Sequence, residues 1–162
     1  MKRALPYLFA LLPIVLGSLV GWLSMSGGAK NEWYKKLEKP AWTPPSVVFG
    51  PVWSVLYVML GAASVPVFQA WQANVPGAGP ALLVFLASLA LNLAWTPTFF
   101  TFQRPDIALA LILALLLSIF AMMAMFSRLS RSSSWLLVPY AAWVAYASTL
   151  NAAIVATLAA KN

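Results

Sequence analysis

Histidine and cysteine are both absent from the 162 residues. Zinc sites, haem ligation by either side chain, thiol chemistry and disulfides are thereby excluded. Acidic residues are nearly as scarce, with Glu32, Glu38 and Asp106 the only three. That leaves no material for a two-carboxylate mechanism or a proton relay of buried acids, and no metal site is predicted. Charge is low altogether: 8% of residues are charged and 62% are hydrophobic, too little charge to cover a soluble domain. Ten basic residues against three acids give a net charge of +7. The cations sit at the ends of apolar runs rather than on one face, which argues against nucleic-acid binding and suits anchoring at anionic headgroups.

The apolar runs are what the sequence has in abundance. Five of them, at about 5–25, 45–71, 80–102, 105–127 and 134–159, each reach the roughly 20 residues that a membrane helix needs. The reading is an all-α membrane protein, one domain over 1–162, built as a five-transmembrane-helix bundle. Lys2 and Arg3 before the first run resemble the start of a signal peptide. No A-x-A-like site follows, and Gly17, Gly21 and Trp22 suit a retained, packed span. Pro66, Pro97 and Pro139 are expected to bend or end their helices. An odd number of spans puts Lys2, Arg3, Arg128 and Arg131 on one face. Lys30, Lys35, Lys36, Lys39, Arg104 and Lys161 fall on the other, a weak lean toward a cytoplasmic first loop.

That first loop, 26–44, is long and expected to be ordered. It carries Trp33, Tyr34, Leu37 and Trp42, stiffened by Lys39-Pro40 and Pro44-Pro45. Large aromatics here suit a lid over one end of the bundle. They suit an interfacial aromatic belt equally well.

Aromatic and amide side chains also recur inside the spans at helical spacing. Trp53 and Tyr57 share a face of the second span, and Asn92, Trp95 and Phe99 share one in the third. Tyr140, Trp143, Ala147, Leu150 and Asn151 follow a similar stripe in the fifth. Asn92 and Asn151 lie at membrane depth, where an unpaired amide is costly, so each must face protein, water or a ligand. Helix packing with Asn as interhelical glue accounts for any one stripe. Aromatics on three helices under an aromatic loop point instead to a pocket for a flat, apolar ligand. Small residues, Gly17 and Gly21 in the first span and Ala87, Ala90 and Ala94 in the third, mark close approach by another span or a second subunit.

The motif Trp33-Tyr34-x-x-Leu37-x-Lys39-Pro40-x-Trp42-x-Pro44-Pro45 resembles the loop signature of the TspO/MBR family. This family comprises the tryptophan-rich sensory proteins of bacteria and the mitochondrial translocator protein, or peripheral benzodiazepine receptor. Three further blocks match in order: Phe49-Gly50-Pro51-Val52-Trp53-x-x-Leu56-Tyr57, then Leu91-Asn92-x-Ala94-Trp95-x-Pro97-x-Phe99-Phe100, then Pro139-Tyr140-x-x-Trp143 with Leu150-Asn151. The resemblance covers the chain from about Gly17 to Asn151.

The resemblance implies a five-helix bundle, usually a homodimer, with a pocket at the loop end. It implies porphyrins such as protoporphyrin IX and haem as ligands, together with synthetic benzodiazepine-type compounds and sterols, and no obligatory cofactor. By position, Trp53, Tyr57, Asn92, Trp95, Tyr140, Trp143, Ala147 and Leu150 should line the pocket, with Trp33 and Tyr34 covering it. Lys35, Lys36 and Lys39 would attract propionates. The lipid bilayer is the remaining partner. The implied role is a membrane receptor or translocator with sensing or transport consequences. The alternatives are a light-dependent porphyrin-degrading enzyme using Trp33 and Trp143, or a transporter of porphyrin or sterol. Animal members carry a Tyr and an Arg where this chain has Ala152 and Ala156, which removes their cholesterol-recognition motif. A bacterial cell membrane is therefore the expected location, with the mitochondrial outer membrane as the alternative.

Overall fold

The computed structural model describes residues 4–25 and 28–161, with side chains described outside 25 and 28–31. Lys2, Arg3 and the side chain of Lys30 thus lie outside the described residues. Five helices are long and apolar enough to cross a membrane: Leu5–Ser24, Ser46–Gln72, Ala78–Phe100, Pro105–Ser127 and Arg131–Ala159. The five-span all-α fold is as the sequence predicts.

Two of these spans are interrupted by proline chemistry. The first consists of α1 (Leu5–Ala10) and α2 (Leu12–Met25). Pro13 has no N–H to give the carbonyl of Phe9, and at the junction Leu11 N–H turns back to Leu8 O at 3.2 Å. The last consists of α7 (Arg131–Leu136) and α8 (Val138–Ala159), with Pro139 in the first turn of α8, where its missing N–H costs nothing. Ser130 caps α7 by accepting the Ser133 N–H at 3.3 Å. Pro66 and Pro97, by contrast, lie inside α4 (Ser46–Gln72) and α5 (Ala78–Phe100), which continue through them without ending. The turn between those helices ends on Gly77 at φ +87°, a left-handed conformation that glycine adopts without strain. Helix α6 (Pro105–Ser127) starts with a proline in its first turn.

The expected loop 26–44 is not loop throughout, because Gly28–Lys36 forms a polar helix, α3. Its end is held by Lys39, whose Nζ donates to the carbonyls of Tyr34 (2.7 Å), Leu37 (3.3 Å) and Lys35 (3.4 Å). A cation placed on the orphan carbonyls of a helix C-terminus stabilises it. The same ammonium lies 4.6 Å over the Tyr34 ring.

The bundle is tight at one end and open at the other. Leu60, Val67, Phe85, Ile112, Ile119, Met122, Phe126 and Val144 form a dry core away from α3. In α4 the buried residues begin only at Leu56, two to three turns below the end that faces α3. At the tight end α1 and α4 touch backbone to backbone, and a Cβ on Gly61 would strike the carbonyl of Ala10. So close an approach of α1 is therefore available only to glycine at position 61.

Candidate functional site

At the open end the helices enclose a cavity of about 550 Å³, within the range of small-molecule sites. It is walled by α2, α3, α4, α5 and α8. Of the ten residues proposed from sequence, Tyr34, Trp53, Tyr57, Trp95, Trp143, Ala147 and Leu150 line it. Trp33, Asn92 and Tyr140 do not, and each has a physical reason.

Trp33 and Tyr34 are neighbours on α3, so they point to different sides of that helix. Trp33 packs edge-on against Phe99 at 5.7 Å in a small cluster beside the cavity, whereas Tyr34 lines it against Phe100 at 5.4 Å. Asn92 is 2% exposed, and its Oδ1 accepts the Tyr57 hydroxyl at 2.8 Å. It holds the floor of the cavity in place through Tyr57. Tyr140 is 1% exposed and lies behind Trp53, ring centroids 6.2 Å apart.

The eight tryptophans divide evenly by position. Trp22, Trp42, Trp71 and Trp135 are exposed on the outside of the bundle, the position of an interfacial belt. Trp53, Trp95 and Trp143 turn inward to the cavity, and Trp33 turns inward beside it. Each inward ring is fixed by another aromatic: Trp53 by Tyr57 at 5.5 Å, Trp95 by stacking on Phe99 at 5.3 Å, and Trp143 by Phe49 at 5.8 Å. Trp95 is also anchored by hydrogen bonding, its Nε1 donating to Asn151 Oδ1 at 3.1 Å. Asn151 in turn gives its Nδ2 to the Pro105 carbonyl at 2.8 Å, so one amide ties α5, α6 and α8 together. The Trp143 indole N–H is buried with no acceptor among the described residues. The Tyr140 hydroxyl, behind the cavity wall, shares that condition, so such a buried group does not by itself mark the ligand space.

Sequence reasoning missed Phe49, Thr96, Phe99, Phe100 and Ile154 as lining residues, although three of these phenylalanines stand in the quoted motifs. Gly17 and Gly21, read as helix-packing residues, also line the cavity. Gly17 does both, because its missing side chain makes room for the Tyr57 ring.

The charges at this end are mostly engaged. Glu32 pairs with Lys35 at 2.9 Å, Glu38 with Lys161 at 2.6 Å and Asp106 with Arg104 at 2.6 Å. Lys35 lines the cavity, Lys39 is committed to α3, and Lys36 is exposed away from the lining. Burial raises the Tyr34 phenol above its ordinary value, so it stays protonated at neutral pH.

With this geometry in view, comparison with known proteins is decisive. The sequence model of the TspO/MBR family matches residues 9–156. The chain belongs to the TspO/MBR family. Among its relatives is a tryptophan-rich protein TspO of Chlorobaculum tepidum, 41% identical over 74% of this chain and 75% of the relative. The tryptophan-rich sensory protein of Cereibacter sphaeroides is 39% identical over 75% and 73% of the two chains. The translocator protein of Homo sapiens is 36% identical over 84% and 80%. Within this family the chain is an integral multi-pass membrane protein of bacterial type.

Proposed function

We propose that the protein is a membrane receptor or translocator that holds a flat, hydrophobic tetrapyrrole, protoporphyrin IX or haem, in the cavity beneath α3. The observation that carries this reading is the set of Trp53, Trp95 and Trp143 around one space of about 550 Å³. Indole faces stack on planar π-systems and bury large apolar area. Lys35, at the rim, would meet a propionate by giving up its exposed pair with Glu32. Iron would gain little from the lining, which has no His or Cys, and the Tyr34 phenol is not ionised at neutral pH. Family membership supports the receptor or translocator role. The exposed face of Ala87, Ala90 and Ala94 on α5 supports a homodimer packed there.

The test is titration of purified protein with protoporphyrin IX, read by quenching of Trp emission. Trp53→Ala together with Trp143→Ala should abolish saturable quenching. Undiminished binding in that double variant would remove this cavity as the site.

A second reading, light-driven oxidation of the bound porphyrin with dissolved dioxygen as the oxidant, is favoured by Trp143 lying on the cavity wall between Phe49 and Tyr146. Illuminated porphyrin should then disappear faster with wild type than with Trp143→Phe. Trp33, off the cavity, should matter less.

A further inference from the structure

The two helices on one side of the cavity diverge toward its open end. Span one and α4 meet backbone to backbone where Gly61 faces the carbonyl of Ala10. They still meet where Gly17 accommodates the Tyr57 ring. One turn further on, a Cβ built on Gly21 meets nothing within 4 Å, and the same holds for Gly50, nearly two turns beyond Tyr57 on α4. Both glycines nevertheless line the cavity. The pair of helices therefore forms a V whose mouth opens into the cavity.

The walls of that mouth are small. Ser46, Gly50 and Ser54 follow one another at four-residue steps along a face of α4, opposite Ser18 and Gly21 of α2, and all five line the cavity. Ser18, Ser46, Gly50 and Ser54 are also exposed on the outside of the bundle. They are surface and lining at once. The Ser54 hydroxyl is spent on the Gly50 carbonyl at 2.9 Å, which makes the deeper part of that wall less polar. Helix α4 is about 40 Å long at 1.5 Å per residue, so if it is centred on a hydrocarbon core of about 30 Å, Gly50 falls at the core's edge and Ser54 inside it.

The other sides are shut. Trp33 and Tyr34 seat the lid on Phe99 and Phe100 of α5. Glu38 bridges to Lys161, just beyond α8, and the Trp42 carbonyl accepts the Tyr146 hydroxyl of α8 at 2.6 Å. Among the described residues, the lid is fastened to α5, α8 and the segment after α8, and the gap faces α2 and α4.

We infer that this gap is a lateral portal, through which a membrane-dissolved, flat apolar molecule enters the cavity from the acyl chains between α2 and α4 while the lid stays in place. The inference rests on the cavity being the ligand site proposed above, and its test does not use porphyrin. Because the chain has no cysteine, Ala147→Cys on the far wall supplies the only thiol. Its modification by bilayer-dissolved benzyl methanethiosulfonate is timed in proteoliposomes. Adding Gly21→Leu or Gly50→Leu, one from each wall and neither meeting a neighbouring atom at Cβ, should slow modification by about tenfold or more. Unfastening the lid with Glu38→Gln plus Lys161→Gln should leave the rate unchanged. A rate unmoved by both portal variants overturns the inference, whatever the lid variant does. Failure of wild type to bind protoporphyrin IX would instead sink the ligand assignment, with the thiol rates still deciding the route.

Discussion

Replacing Gly17 by alanine should damage both the fold and the cavity, although it adds only a methyl group. The new Cβ would overlap the Tyr57 ring. That ring is not a free end that swings aside. It is 8% exposed, it packs on Trp53 at 5.5 Å, and its hydroxyl is bonded to Asn92 at 2.8 Å. Overpacking of this kind costs about 1–3 kcal/mol. Alanine's better helix propensity returns about 1 kcal/mol. Displacing Tyr57 from Asn92 adds roughly 0.6–1.7 kcal/mol, the range for interhelical hydrogen bonds in membranes. The net loss is about 2 kcal/mol, or roughly thirtyfold in the folding constant. Gly21→Ala, one turn along the same helix, meets no neighbour and should be neutral or stabilising by up to about 1 kcal/mol. The two variants are compared by SDS titration in mixed micelles, read by Trp emission and helicity. In a Tyr57→Ala background the overlap and the Asn92 bond are already gone, so Gly17→Ala should no longer destabilise, a coupling of about 3 kcal/mol. Equal unfolding midpoints for Gly17→Ala and Gly21→Ala would refute the reasoning.

Other outcomes follow from the same contacts. Asn151→Leu strands the Trp95 N–H and removes the second bond to the Pro105 carbonyl, and should cost about 1–3 kcal/mol in the same titration, with weaker protoporphyrin quenching as Trp95 loosens. Glu38→Gln alone removes an exposed ion pair and should change stability by less than about 1 kcal/mol, since such pairs are well solvated. Haem and metal-free protoporphyrin IX should bind with affinities within about threefold of each other, because no His or Cys ligates iron. Burial holds the Tyr34 phenol above its ordinary value, so raising the pH from neutral into the mildly alkaline range leaves it protonated. The haem Soret band should stay constant over that interval and be unaltered by Tyr34→Phe.

How legible each feature was depends on how local its cause is. The five spans and the need to pair Asn92 and Asn151 follow from the sequence alone, because hydrophobic length and the cost of a bare amide in lipid do not depend on neighbours. The lid helix Gly28–Lys36 was not legible. It is polar, and its stability comes from Lys39 closing its end and from Phe99 and Phe100 beneath Trp33 and Tyr34. The partners of the two amides were likewise a matter of helix rotation. Asn92 and Trp95 share a stripe, yet Asn92 is used by Tyr57 below the cavity, whereas Trp95 faces into it and is held by Asn151.

By itself, then, the sequence determined that this is a five-span membrane protein of the TspO/MBR family with aromatics recurring at helical spacing on three spans, since composition and spacing act along the chain. Only the tertiary structure decided which of two adjacent lid aromatics reaches the cavity, which glycine touches a ring and which opens onto empty space. Those outcomes depend on the rotation and divergence of helices, which are set by packing between segments far apart in the chain.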